Sequence, residues 1–104
     1  MRNVIVLTAA VLAACSFQPQ QAASIEDYCS SVAREAAWYE VQRAAGVQRS
    51  DLKAQVGFKL GPMYPIREIL AMHKVIDWVY DGYHVLTIEN GCVVQRTDGT
   101  WFKV

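Results

Sequence analysis

Two histidines, three cysteines and ten carboxylates are the residues from which this sequence could build chemistry. His73 and His84 are eleven positions apart, on different expected elements, with no Cys-His or His-x-x-x-His spacing. Zinc needs three or four convergent ligands, so this spacing predicts no metal site. His73 reads as a core or half-exposed residue on an apolar helix face, and His84 as a strand residue. Ser30-Ser31 falls inside an expected helix, without the strained Gly-x-Ser-x-Gly turn that exposes a nucleophile. A glycosidase-type carboxylate pair would have to come from Glu35, Glu40, Glu68, Asp77 or Asp81, all of which fit solvated helix faces. No Cys-x-x-Cys is present, and neither Cys29 nor Cys92 has a histidine close by in sequence. The expectation is a protein with no catalytic residues, no metal and no cofactor.

The aromatic residues are more informative. Trp38, Tyr39, Trp78, Tyr80, Tyr83, Trp101 and Phe102 are dense for so short a chain. A small domain has too little interior to bury all of them, and an exposed remainder marks a binding surface. Ile25, Cys29, Val32, Ala36 and Tyr39 define one inward helix face, and Trp38 falls off its axis. Trp38 is therefore the first candidate for partner contact, with a place in the core as the competing reading. Tyr64, in a loop between Pro62 and Pro65, is the second.

The start of the chain suggests where such a partner would be met. Arg2 precedes an apolar run, Val4 to Ala14, broken only by Thr8. A basic start followed by about ten apolar residues is the pattern of a secretory signal, and it is too short for a membrane span of roughly 20 residues. A buried core helix is the competing reading. The run ends in Leu12-Ala13-Ala14-Cys15, which resembles the lipobox of bacterial lipoproteins. That resemblance covers these four residues and the run before them. It implies removal of residues 1–14, a lipid on Cys15 and attachment to a membrane. By the same resemblance, Ser16 after the cysteine favours the outer membrane. Ordinary signal cleavage after Cys15, with Ala13 at position −3, would leave a soluble periplasmic or secreted protein instead.

An odd number of cysteines in an exported protein asks for an explanation. Lipidation, or cleavage beyond Cys15, removes one and leaves Cys29 and Cys92 as a pair. An oxidising compartment would join them. The closed loop of about 64 residues corresponds to roughly 4 kcal/mol in the chain-entropy estimate. Two separate buried thiols are the alternative.

The elements that must position these residues follow from pattern. Residues 15–23 are polar, contain Pro19 and read as a tether to a single domain over 24–104. Ser24 caps a first helix, with Glu26 and Asp27 at its positive end, running to Ala45 with Gly46 as its stop. Ser50 caps a second, with Leu52, Val56 and Leu60 on one face and Gly61-Pro62 ending it. Pro65 opens a third at its first position. Ile66, Ile69, Leu70, Met72, His73, Ile76, Val79 and Tyr80 form its broad apolar face, and Asp81-Gly82 closes it. The β-branched run around Val85, Thr87 and Ile88, with Asn90-Gly91 and Asp98-Gly99 as hairpin signals, predicts three short strands at about 84–89, 92–97 and 100–104. The expected fold class is α+β: three helices followed by a small antiparallel β-meander, stapled by Cys29–Cys92. A competing reading extends the third helix and leaves an irregular tail.

Ten basic and ten acidic side chains leave nothing to read into net charge, and loss of Arg2 would leave nine against ten. No basic stripe predicts nucleic-acid binding. Taken together, the sequence predicts an exported envelope protein that binds another protein without chemistry of its own. A binder of a small molecule or envelope polymer through an aromatic groove is the alternative, with a small periplasmic hydrolase third.

Overall fold

A computed structural model of the protein describes residues 24–103. The expected signal, Cys15 and the tether over 15–23 lie outside the described residues. Four helices follow one another: α1 (Ile25–Ala44), α2 (Arg49–Leu60), α3 (Ile66–Tyr80) and α4 (Val85–Asp98).

The first helix begins where its cap requires. Ser24 is extended, and its hydroxyl accepts from the backbone N–H of Asp27 at 3.0 Å. Gly46 has φ +89°, a left-handed conformation that stops the helix at little cost for glycine. α2 starts two residues earlier than a Ser50 cap would place it: Gln48 is the capping residue and makes no side-chain cap bond. Pro65 likewise sits at the cap of α3 rather than inside its first turn.

The last quarter overturns the expected meander. Among the described residues there is no strand, and residues 85–98 form one helix. The fold class is all-α with a disulfide, not α+β. The reading with an extended third helix fails too, because α3 stops at Tyr80 and a separate helix begins five residues on. Asn90-Gly91 lies in mid-helix, and Gly99, at φ +82°, is the left-handed stop of α4 rather than a hairpin turn. His84 caps this helix, its Nδ1 accepting from the N–H of Leu86 at 3.1 Å. Burial explains the outcome. Ile88 and Cys92, four residues apart, face the core together, and Cys92 is bonded to Cys29 with a Cα–Cα separation of 5.7 Å. Helix propensities differ by well under 1 kcal/mol per residue, so one covalent tie and one buried face outweigh a β-branched run.

The disulfide therefore joins α1 to α4, helix to helix. α1 lies in the middle, with α4 packed most extensively on one side of it and α3 on another; α2 leans on α3 and barely meets α1. Two cross-links orient α1 and α3 in parallel. The Tyr28 hydroxyl donates to Glu68 Oε2 at 2.8 Å near both N-termini, and Arg43 Nη1 donates to the Val79 carbonyl at 2.9 Å near both C-termini. Cys29, Val32, Ala36 and Tyr39 from α1 meet Leu52 and Val56 from α2, Met72, Val75, Ile76 and Val79 from α3, and Ile88 and Cys92 from α4. Trp101 from the C-terminal segment is the largest fully buried side chain.

Candidate functional site

Trp38 and Tyr64 are both exposed, at 39% and 49%. They do not form one site. Trp38 sits on α1 with Val41 one turn further along, and the Lys59 ammonium of α2 lies 5.5 Å from its ring centre. Tyr64 lines a groove of about 280 Å³ between α1 and the α2–α3 connection. Tyr28, Val32, Glu35, Leu60 and Glu68 line it as well.

This groove brings together two of the carboxylates considered for acid–base work, Glu35 and Glu68. Glu68 is engaged by the Tyr28 hydroxyl, which in turn accepts from the Trp101 indole N–H at 2.9 Å. Burial, with the bond to Glu68 adding, pushes the Tyr28 phenol well above its ordinary value and keeps it a neutral donor. Deeper in α1, burial also raises the Tyr39 phenol, and the Glu35 carboxylate adds to the rise. The Tyr39 hydroxyl is buried without a hydrogen-bond partner. Asp77 and Asp81 serve a different purpose. They hold Arg49 at 3.2 and 2.8 Å, and Lys53 also reaches Asp77 at 2.8 Å, latching α2 to the end of α3.

The histidines are structural. His73 Nε2 lies 3.0 Å from the Lys53 carbonyl, to which it donates, and His84 caps α4. Ser30 reaches across to Glu89 of α4 at 3.3 Å. Among the described residues, no group of three or more His, Cys, Asp or Glu side chains could hold a metal ion. No helix among them is long and apolar enough to cross a membrane.

The most elaborate arrangement is one the sequence reading missed. The segment after α4 folds back and is clasped by cations. Arg96 lies over the Tyr28 ring at 4.3 Å and the Phe102 ring at 5.3 Å, with Arg67 over Phe102 at 4.9 Å. Lys74 lies 4.4 Å from the Trp101 ring centre, and its ammonium donates to the Trp101 carbonyl and to Gln95 Oε1. Burial pushes the Lys74 ammonium down from its usual range. Each such contact contributes roughly 0.5–2 kcal/mol, more where water is excluded. The signal was present in the adjacent aromatic pair Trp101-Phe102. Reading those residues as an edge strand concealed it. Trp78 lines a second groove of about 240 Å³ with Tyr83 and Thr87, and Trp101 lines a third of about 350 Å³ with Leu70 and Lys103. Trp38 lines none of the three.

No family model matches the chain, and no curated protein or solved structure matches it. Its function has to be argued from its own residues.

Proposed function

We propose that this is a small exported envelope protein, attached to the outer membrane by a lipid on Cys15, that acts without chemistry of its own by binding another envelope protein. An accessory, immunity or assembly role fits that description. The observation that carries it is the exposed pair Trp38 and Val41 on a rigid helix, with Lys59 beside the indole. An indole on a helix surface adds little to the stability of the chain that carries it, whereas tryptophans dominate the energetics of interfaces. The Cys29–Cys92 bond supports an oxidising compartment, since such bonds are rare where thiols are kept reduced. Tyr64 would extend the contact across the neighbouring groove.

The test is capture from envelope extract by the purified protein, compared with Trp38→Ala and Tyr64→Ala. Loss of a buried interfacial tryptophan costs 2 kcal/mol or more, about thirtyfold in affinity. The partner should drop out with Trp38→Ala while the helical circular dichroism is unchanged. Identical capture by all three proteins would remove the reading.

A second reading has its own observation. The Tyr28–Tyr64 groove combines aromatic walls with Arg34, Glu35 and Glu68, as a small-molecule site does. Calorimetric titration with envelope glycans, abolished by Tyr64→Ala but not by Trp38→Ala, would favour it.

A further inference from the structure

The three most exposed large apolar side chains among the described residues are Phe58, Met63 and Ile66, at 89%, 68% and 67%. All three fall within nine consecutive residues: the last turn of α2, the connection over 61–65, and the first residue of α3. Lys59 is the only charged side chain between Phe58 and Ile66. Pro62 and Pro65 restrict the backbone of the connection, so little conformational entropy is lost if it is held against a surface.

The fold gives this stretch a definite place. Tyr28 bonds Glu68, so the start of α3 lies beside the start of α1. Trp101 bonds Tyr28, bringing the C-terminal segment to the same end. The apolar stretch and Ser24 are therefore at one end of the bundle, and Gln48, Tyr83 and Leu86 are at the other. From Ser24 the chain leads back to Cys15 in nine residue steps. A chain advances at most about 3.3–3.6 Å per residue, so Ser24 lies within about 32 Å of whatever holds Cys15. That distance is of the order of one bilayer hydrocarbon thickness.

The geometry points to a second membrane contact: the Phe58–Met63–Ile66 end of the bundle inserts its apolar side chains into the interface of the bilayer to which Cys15 is anchored. The inference rests on the export reading only through that anchor. The two or more acyl chains that a lipobox cysteine would carry already hold a protein stably, so the additional apolar contact would set its orientation. The orientation places the Arg49 end of the bundle furthest from the membrane, with Trp38 nearer to it beside Lys59. Charge has no part in it. The first turns of α1 and α3 and the region around the end of α4 carry Glu26, Asp27, Glu68 and Asp98 against Arg67, Arg96 and Lys103. Tyr83 and Leu86 are exposed at the opposite end, and what separates the two ends is the direction in which the chain leaves.

The experiment places an environment-sensitive label on Met63→Cys or, as control, on Gln48→Cys. The native pair Cys29 and Cys92 is bonded and fully buried, so it does not react. The protein extracted from membranes is reconstituted into vesicles of phosphatidylethanolamine and phosphatidylglycerol carrying spin-labelled acyl chains. Quenching at position 63 should exceed that at position 48 by at least threefold, equally in low and high salt. Equal quenching at the two positions, loss of the difference in high salt, or shielding of position 63 from iodide before vesicles are added would each overturn the proposal. The last of these would mean that a second copy covers the surface. A chain beginning at Ser16, which lacks both the lipid and the apolar run over 4–14, should still sediment weakly with the same vesicles, about tenfold less with Ile66→Asp, since one apolar side chain is worth at least that factor. Mass spectrometry of the mature N-terminus reports on the anchor separately. A lipid on Cys15 with no quenching difference removes this inference and spares the export reading. An unmodified Cys15 with the difference retained removes the lipid anchor and leaves the membrane contact of the Phe58–Met63–Ile66 end standing on its own.

Discussion

The two halves of the bundle are held by different means. α1 and α4 share a covalent bond, and the chain beyond α4 is locked over the end of that pair by Trp101, Phe102 and the cations around them. α3 shares the clasp through Lys74 and Arg67, whereas α2 has no such lock. α2 contributes only Leu52 and Val56 to the core, and its polar latch is an exposed guanidinium between two carboxylates. Stability is thus concentrated where α1, α3 and α4 meet the segment after α4, and Phe58 lies on the helix with least to hold it, with Met63 in the connection that follows. Local opening is expected to start at α2, because regions with few buried apolar contacts open at the lowest free energy.

Four variants break or sharpen that contrast. The largest effect should come from Cys92→Ser. Loss of a cross-link between residues 63 apart corresponds to about 4 kcal/mol, read as a shift of the denaturation midpoint and as loss of the mobility difference between reducing and non-reducing gels. Unchanged stability would mean that packing alone holds α4. Trp101→Ala should cost about 3 kcal/mol, since it removes the largest buried side chain, the ring beside the Lys74 ammonium and the indole N–H that the Tyr28 hydroxyl accepts from. Amide exchange should rise along α4 more than along α2. Gly91→Ala should stabilise by about 0.5–1 kcal/mol, because the glycine is in mid-helix and an added Cβ meets nothing within 4 Å. Destabilisation would favour the hairpin that Asn90-Gly91 suggests on paper. Arg49→Ala should have the smallest effect, a midpoint change near the error of the curve, because exposed ion pairs contribute little. A large loss there would show that the latch, rather than Leu52 and Val56, holds α2.

The first three helices could be read from the sequence because each announces itself locally. Ser24 with its acidic first turn, Gly46 after Ala45, and the wide apolar face from Ile66 to Tyr80 are features that act within one or two turns. α4 announces itself too, but faintly. Val85, Ile88 and Cys92 recur at helical spacing, and Gly99 follows as a stop. Set against them were Val93 and Val94 and two dipeptides that favour turns. The two patterns differ by little energy until Cys92 meets Cys29. The exposed pair Trp38 and Tyr64 was readable because one lies off a helical axis and the other between prolines. The groove beside Tyr64 was not, because Tyr28, Glu35 and Glu68 come from two helices that only packing aligns.

What the sequence determined by itself is local: the start and stop of α1, its inward face, and the existence of α2 and α3 with the stops that follow them. What only the tertiary structure decided is the conformation of residues 85–98, the clasp around Trp101 and the end of the bundle at which Met63 and Ile66 stand beside Ser24. Capping and turn chemistry act over three or four residues, whereas burial and cross-linking act between residues 40 to 73 apart, as in Tyr28 with Glu68 and Trp101. Interactions at that range leave no mark on the neighbouring sequence, and in this chain they outweighed the local preference for strand.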